Sequence, residues 1–191
     1  MSRIRILSTE ILSQTKYRLE KVTYTFSGHD GKERVQKREV YQRGSSAAIL
    51  LYDSNRKTIL LGSQIRLPAY LNNDSPQLLE ACAGMIEKDE SPEQCILREA
   101  EEEMGYRISE IEKIAEAYTS PGAIIEYTYF FLGKYSPDMK ISEGGGKEEE
   151  GEDIAILELT YDEAKHKLDA GKIRDAKTVI LLQYAILKGI I

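Results

Sequence analysis

Residues 84–106 read GMIEKDESPEQCILREAEEEMGY, and four glutamates of this stretch lie within eight consecutive residues. The stretch predicts a helix over residues 92–104, because Ser91 and Gln94 can form a capping box at its start. Gly105 is well placed to end that helix in a left-handed conformation. Like charges three and four residues apart repel each other on a helix, so the crowding of glutamates needs a physical reason.

A helical wheel at about 100° per residue indicates which of these acids share a face. With Glu99 at zero, Glu103 lies at about 40° and Glu102 at about -60°. Glu101 points nearly the opposite way, and Arg98 stands four residues before Glu102, where the two can pair. Three carboxylates that converge in a partly closed site cannot all stay ionised cheaply, and a hard divalent cation would offset their charge. Because an acidic run on a helix is most often simply solvated, the wider spacing has to decide between the two interpretations.

The spacing of the whole stretch is more specific than the acidic run alone. It reads Gly, five residues, Glu, seven residues, and then Arg-Glu-x-x-Glu-Glu-x-Gly. The matching residues are Gly84, Glu90, Arg98, Glu99, Glu102, Glu103 and Gly105. This pattern resembles the Nudix box, although Tyr106 stands where a bulky aliphatic residue is usual. The resemblance implies a hydrolase whose acids hold Mg2+ on a diphosphate, where the metal neutralises charge and orients or activates the attacking water.

The composition limits the classes of partner. The chain has 191 residues, 41% of them hydrophobic and 30% charged, which suits one domain or one domain with an appended subdomain. Its net charge of -6 disfavours general binding of nucleic acid, and no apolar stretch predicts a signal peptide or a membrane span. The two cysteines, Cys82 and Cys95, predict a reduced protein in the cytoplasm. Only two histidines occur, far apart in sequence, which disfavours a histidine-rich zinc site.

The pattern along the chain predicts a mixed sheet with helices. We expect strands at residues 17–26, 33–43, 47–52, 58–66, 77–84, 111–119, 125–135 and 154–160. Residues 136–153, rich in glycine and glutamate, should form a long loop, and two helices with Thr160 and Asp175 as N-caps should follow. The predicted fold class is α/β, with a mixed β-sheet sandwiched between helices and an N-terminal antiparallel hairpin. We divide the chain into an N-terminal strand region, 1–44, and a Nudix hydrolase domain, 45–191.

Segments outside the box carry a second resemblance. They are KREVYQRG (37–44), AAILLY (47–52), EACAG (80–84), YTSPG (118–122), YFFLGKY (129–135) and GKIRDAKTV (171–179). In this order they resemble the GDP-mannose pyrophosphatase subfamily, which is related to the ADP-ribose pyrophosphatases. The resemblance implies a homodimer that exchanges its N-terminal strands between subunits. The chain departs from the subfamily at SQIR (63–66), which lacks the first arginine and the aromatic residue of the usual Arg-Gln-Phe-Arg.

The subfamily resemblance also implies which residues contact the substrate. They are Lys37, Arg38, Glu39, Arg66, Gly84, Met85, Glu126, Gly151 and Lys177. Arg66 would meet the diphosphate, because arginine grips phosphate oxygens with two nitrogens. The alternative for residues 37–39 is that they are ordinary surface charges on a strand.

A metal set and a catalytic set follow from the same resemblance. The metal ligands would be the backbone carbonyl of Ala83 and the carboxylates of Glu99, Glu103 and Glu152, and the catalytic residues Glu99, Glu102, Glu103 and Glu152. Mg2+ is the expected ion and Mn2+ the alternative. An acidic neighbour within residues 148–153 could take the place of Glu152, and the number of metal ions and the general base stay open.

The implied reaction is Mg2+-dependent hydrolysis of GDP-mannose to GMP and mannose 1-phosphate. The nearest alternative is an ADP-ribose pyrophosphatase, which gives AMP and ribose 5-phosphate. An alternative of another class is a sensor of nucleotide sugars that has the Nudix fold but does not cleave its ligand.

Overall fold

A computed structural model describes residues 3–191, so the first two residues of the predicted 1–44 region lie outside the described part. The strands are β1 (Ile4–Gln14), β2 (Arg18–Ser27), β3 (Glu33–Asp53), β4 (Thr58–Ile65), β5 (Gln77–Glu80), β6 (Cys82–Met85), β7 (Ile111–Tyr118), β8 (Ile124–Lys134) and β9 (Ala155–Thr160). The helices are α1 (Leu67–Leu71), α2 (Pro92–Glu102), α3 (Tyr161–Asp169) and α4 (Ala176–Leu187), with 3-10 turns at Pro137–Met139 and Glu148–Glu150. No helix of the described residues has the length and apolar character needed to cross a membrane.

Contacts within the chain separate two units. The first contains the residues up to Ser45 together with Tyr118–Tyr127, and the second contains Ser46–Ala117 and Thr128–Ile191. The predicted division into residues 1–44 and 45–191 stays a prediction.

The first unit is built on antiparallel strands. β2 pairs with β3 in continuous register from Arg18 opposite Gln42 to Ser27 opposite Glu33, which confirms the predicted hairpin. β1 pairs with β2 and was not predicted. Its register shifts twice, and its side chains are exposed, so it lacks the regular alternation that identifies a half-buried strand.

The second unit places a sheet between two hydrophobic clusters. β3 pairs with β4 and β6, β4 also pairs with β5 and β9, and β8 pairs with β3 and β7. Ala48 and Leu50 of β3 belong to the cluster that contains α4, whereas Ile49 and Leu51 belong to the cluster that contains α2. Successive residues of a strand point to opposite faces, so both faces of β3 are covered over residues 48–51, as this apolar run predicted.

Two predicted strand boundaries are wrong. Residues 33–43 and 47–52 were predicted as separate strands, but they form the single strand β3. Residues 77–84 were predicted as one strand, but they form β5, which pairs with β4, and β6, which pairs with β3. The break falls at Ala81, whose backbone N–H donates to the side-chain hydroxyl of Thr178 at 2.7 Å instead of to a strand.

Candidate active site

The helix α2 begins and ends as its sequence predicts. The Ser91 side chain accepts from the Gln94 backbone N–H, and the Gln94 side chain accepts from the Ser91 N–H, which completes the capping box. Gly105 has a φ of 77°, the left-handed conformation expected beyond the helix end. α2 buries an apolar face that includes Ile96 and Ala100. Packing of this face fixes the rotation of α2 about its axis and therefore the direction of its glutamates.

Glu99 and Glu103 are almost wholly buried, with 8% and 4% of their surface exposed. Glu101 instead points outward and pairs with Arg107 at 2.9 Å, as the helical wheel requires. Carboxyl groups are rarely buried unless they are paired, and each buried one therefore calls for a functional or structural reason.

Arg98 compensates part of the acidic charge. Its guanidinium donates to Glu102 at 3.1 Å, which confirms the predicted pair. It also donates to Glu99 at 2.8 Å and to Glu90 at 2.9 and 3.1 Å, contacts that the spacing of the acids did not predict. One arginine therefore joins three carboxylates of the segment.

Burial and mutual repulsion act on the protonation of these acids. Burial raises the pKa of Glu103 to about 8, and the charges of Glu99 and Glu152 contribute to the rise. Burial also raises the pKa of Glu99, but the charge of Arg98 and its hydrogen bond oppose the rise. Without a cation, Glu103 therefore carries a proton near neutral pH.

Strand β6 brings backbone into contact with the same acids. The Ala83 backbone N–H donates to Glu103 at 3.1 Å. A Cβ at Gly84 would lie 1.8 Å from Oε1 of Glu99, so any larger residue at this position would displace the Glu99 carboxylate. Met85, the last residue of β6, accepts from Arg98 through its carbonyl at 3.4 Å. Of the predicted site residues on β6, Ala83 and Gly84 thus lie against Glu103 and Glu99, and Met85 contacts Arg98.

The long loop after β8 reaches the end of α2. The backbone N–H groups of Gly145 and Gly146 donate to the carbonyls of Glu103 and Glu102 at 2.8 and 3.1 Å. The Glu152 carboxylate accepts from the Lys147 backbone N–H at 2.9 Å. The side chain of Glu150 lies outside the described part of the chain. The loop therefore brings Glu152 close enough to affect the pKa of Glu103.

The donor set fits a hard divalent cation. Glu99, Glu103 and Glu152 offer only carboxylate oxygens, and two of them are buried where a charge without a counterion is costly. Among the side chains that the structure describes, no three Asp, Glu, His or Cys groups lie close enough together to hold a metal ion. Arg98 and Lys147 hold Glu102 instead, at 3.1 and 2.8 Å.

Two further predicted residues meet at a buried acid. Arg66 donates to Glu80 through two nitrogens, at 2.7 and 2.8 Å. The ammonium of Lys177 lies 2.6 Å from Asp175 and 3.8 Å from Glu80. Glu80 was not predicted, although a lone acid at the end of the apolar segment QLLE is a signal that could have identified it.

The other predicted substrate residues belong to the first unit, except Gly151. Lys37, Arg38 and Glu39 are exposed on β3. Glu126 accepts from the Thr119 hydroxyl at 2.7 Å. Gly151 follows the second 3-10 turn with a left-handed φ of 76°. The role of each in substrate binding stays a prediction.

Comparison with known proteins supplies the family. The NUDIX domain matches residues 42–181. The chain belongs to the Nudix family. The GDP-mannose pyrophosphatase NudK N-terminal domain matches residues 3–41. Both matches confirm the resemblance seen in the sequence, and with its GDP-mannose pyrophosphatase relatives they identify this chain as a pyrophosphatase of the hydrolase class.

Known relatives match this Nudix chain over nearly its whole length. GDP-mannose pyrophosphatase of Escherichia coli (strain K12) is 44% identical over 182 residues, which cover 95% of this chain and 94% of the relative. GDP-mannose pyrophosphatase of Cronobacter sakazakii is 44% identical over 188 residues, which cover 98% and 97%. The crystal structure of an ADP compounds hydrolase superposes with a TM-score of 0.75 at 16% identity, covering 100% of this chain and 98% of that one. At that identity the likeness shows the fold alone, and it confirms the predicted fold class.

Proposed function

We propose that this Nudix hydrolase cleaves the diphosphate of GDP-mannose, releasing GMP and mannose 1-phosphate. The observation that carries the proposal is the pair of buried glutamates, Glu99 and Glu103, in a chain that is similar end to end to GDP-mannose pyrophosphatases. Buried carboxylates that repel each other are costly for stability, and an enzyme that needs a cation at this place explains their presence.

Glu99, Glu103, Glu152 and the carbonyl of Ala83 would hold Mg2+, with Mn2+ as a substitute. The bound cation would supply charge neutralisation on the phosphate oxygens and a more acidic water. The chain's own residues orient these ligands: Gly84 leaves room for the Glu99 carboxylate, and the amide of Ala83 fixes one oxygen of Glu103. Glu102 is the fourth acid of the proposed catalytic set, and its pairs with Arg98 and Lys147 support a role in holding the helix end and the loop together.

The substrate would be gripped by cations and by backbone. Arg66 and Lys177 would meet the diphosphate, since both are cationic and both contact Glu80. Gly84, Met85 and Gly151 would line the substrate without steric obstruction, and Glu126 would contact it as well.

The first unit supports a proposed homodimer. Apolar side chains of β1 are half-exposed, with 53% of Ile4, 57% of Ile6 and 52% of Ile11 accessible. Exposed apolar side chains on one strand are typical of an interface, and a second copy of this chain with exchanged N-terminal strands would cover them. In that dimer Lys37, Arg38 and Glu39 would reach the nucleotide sugar. We place the enzyme in the cytoplasm, which agrees with two free, buried cysteines.

A panel of nucleotide sugars tests the proposal. Purified protein is incubated with Mg2+ and GDP-mannose, ADP-ribose or other nucleoside diphosphate sugars, and products are separated by chromatography, with a chelator as control. We expect GMP and mannose 1-phosphate from GDP-mannose. Faster cleavage of ADP-ribose than of GDP-mannose would overturn the proposed substrate, and binding without cleavage of any member would favour the sensor.

A further inference from the structure

Glu80 is a buried acid that contacts two cations at once. It is the last residue of β5, and only 4% of its surface is exposed. Its two oxygens accept from Nε and Nη2 of Arg66, at 2.7 and 2.8 Å, and one of them lies 3.8 Å from the Lys177 ammonium. A buried ion pair by itself contributes little to stability compared with apolar packing, so stability alone does not account for this acid.

The contact with Glu80 leaves one guanidinium nitrogen of Arg66 available to a ligand. Its side-chain hydrogen bonds within the described chain use Nε and Nη2, so Nη1 is the nitrogen that can meet a ligand. The hydrogen bonds that Arg66 donates to Glu80 raise the pKa of the guanidinium, and the charges of Glu80, Glu103 and Asp175 contribute to the rise. Arg66 thus lies within electrostatic reach of Glu103, and its side chain is 43% exposed.

Lys177 is fixed through the same group of residues. Its ammonium contacts Asp175 at 2.6 Å, and Asp175 caps α4 by accepting from the Thr178 backbone N–H at 2.9 Å. The Thr178 hydroxyl also donates to Asp175 at 2.7 Å and accepts from the Ala81 N–H at 2.7 Å. Ala81 follows Glu80 directly. Its hydrogen bond to Thr178 therefore fixes the start of α4, which carries Lys177, beside the end of β5, which carries Glu80.

We propose that Glu80 is a positioning residue, which holds Arg66 and Lys177 so that both cations face the diphosphate of the substrate, without touching the substrate itself. The inference rests on the proposed function for the class of ligand, a nucleoside diphosphate. Glu80 orients the Arg66 guanidinium by accepting two parallel hydrogen bonds from it. An uncharged acceptor would bind the guanidinium less strongly than the carboxylate does. It also neutralises part of the positive charge while the site is empty.

The test replaces Glu80 by Gln and measures two quantities. Binding of GDP, which carries a diphosphate, is followed by calorimetry, and KM and kcat are measured on the best substrate of the panel. Misplacing charge-assisted hydrogen bonds should weaken GDP binding and raise KM roughly 10- to 100-fold, with kcat changed much less. Because part of the effect of Glu80 passes through Arg66, Glu80→Gln should weaken GDP binding by a smaller factor in the Arg66→Gln background than in the wild type.

A second carboxylate–arginine pair is the control for losing such a pair as such, although Glu158 is exposed where Glu80 is buried. Glu158 on β9 also holds an arginine, Arg56, through two guanidinium nitrogens, and it lies in the same unit. Glu158→Gln should leave GDP binding, KM and kcat unchanged. If Glu80→Gln does not fold, Glu80→Asp keeps the buried charge but draws it away from Arg66, and it carries the same expectation.

The outcomes distinguish this inference from the proposed substrate. A different preferred nucleotide sugar would change the proposed function and leave the effect of Glu80→Gln on GDP binding intact. Wild-type affinity for GDP in folded Glu80→Gln, or a fall in kcat with KM unchanged, would overturn the positioning role. Failure of the wild-type protein to bind GDP would overturn it as well.

Discussion

Replacing Glu103 by Gln should stabilise the metal-free protein above neutral pH while it removes activity. Burial, with the charges of Glu99 and Glu152, raises the pKa of Glu103 from its usual 4.5 to about 8. Between these two values the folded state keeps the proton and the unfolded state has lost it, so the folded state binds more protons. The free energy of unfolding therefore falls as the pH rises from 4.5 to about 8. Below this window both states bind the proton, and the stability of the folded state is not reduced.

The size of the effect follows from the same pKa. Each factor of ten in a proton equilibrium corresponds to about 1.4 kcal/mol, so a rise from 4.5 to about 8 corresponds to at most roughly 5 kcal/mol lost by alkaline pH. Relaxation of the helix and entry of water reduce such penalties, and we expect about 2 kcal/mol. The amide of Gln has the shape of the protonated acid and can still accept from the Ala83 N–H.

Urea unfolding in a chelating buffer at about pH 5 and about pH 8 measures this effect. The wild type should lose stability between the two conditions, whereas Glu103→Gln should lose much less and be the more stable protein at the higher pH. Glu101→Gln is the control, because the hydrogen bond from Arg107 lowers the pKa of Glu101 and leaves it ionised in both states across the window. An undiminished pH dependence in Glu103→Gln would refute the reasoning.

The remaining predictions concern the support around these acids. Gly84→Ala should lower kcat by about 100-fold or more with little loss of fold, because its Cβ would meet Oε1 of Glu99 at 1.8 Å and force that carboxylate aside. Gly146→Ala should also lower kcat, because its Cβ would lie 2.4 Å from an oxygen and 2.7 Å from Cβ of Glu152. Ser91→Ala should reduce the free energy of unfolding by about 1 kcal/mol without changing the substrate preference, since it removes the cap of α2. Added Mg2+ should raise the thermal midpoint of unfolding of the wild type and of Ser91→Ala. The rise should be much smaller for Gly84→Ala, in which the Glu99 carboxylate is displaced.

Matched glycines provide the controls for these substitutions. Gly171 has a φ of 65°, comparable with 81° at Gly146, but a Cβ there would meet nothing within 4 Å. Gly171→Ala therefore has a similar backbone strain and should keep its kcat. Gly122, where a Cβ also meets nothing within 4 Å, serves in the same way for Gly84. Equal losses of kcat in a variant and its control would contradict the steric explanation.

Local signals in the sequence were sufficient for α2 and its acids. The capping box at Ser91 and the left-handed Gly105 depend on residues within one turn of the helix, so the sequence contains both partners. The same holds for the N-caps Thr160 and Asp175, which accept from backbone N–H groups three residues later, as predicted. The apolar run at residues 47–52, which is covered on both faces, was likewise predictable from the order of its residues.

Interactions between residues far apart in sequence could not be predicted from such local signals. Arg66 meets Glu80 because β4 pairs with β5, and Lys177 meets it because α4 packs beside β5. No spacing in the sequence predicts that the three residues come together. β3 appeared interrupted because Gly44, with a φ of 93°, and the serines after it resemble a turn. The five-residue helix α1 (Leu67–Leu71) was missed because it is too short to show a helical period.

The position of the acids on α2 explains why a glycine-rich loop follows β8. Glu99 and Glu102 stand in the last turn of the helix, where the helix dipole adds negative charge to their own. The amides of Gly145 and Gly146 donate to the carbonyls of Glu103 and Glu102 and so offset that charge at the helix end. The same segment leads within a few residues to Glu152, so one loop both stabilises the helix end and supplies a third acid beside it. Withdrawing the loop would therefore remove both contributions together, and the end of α2 and the acid site form one cooperative unit.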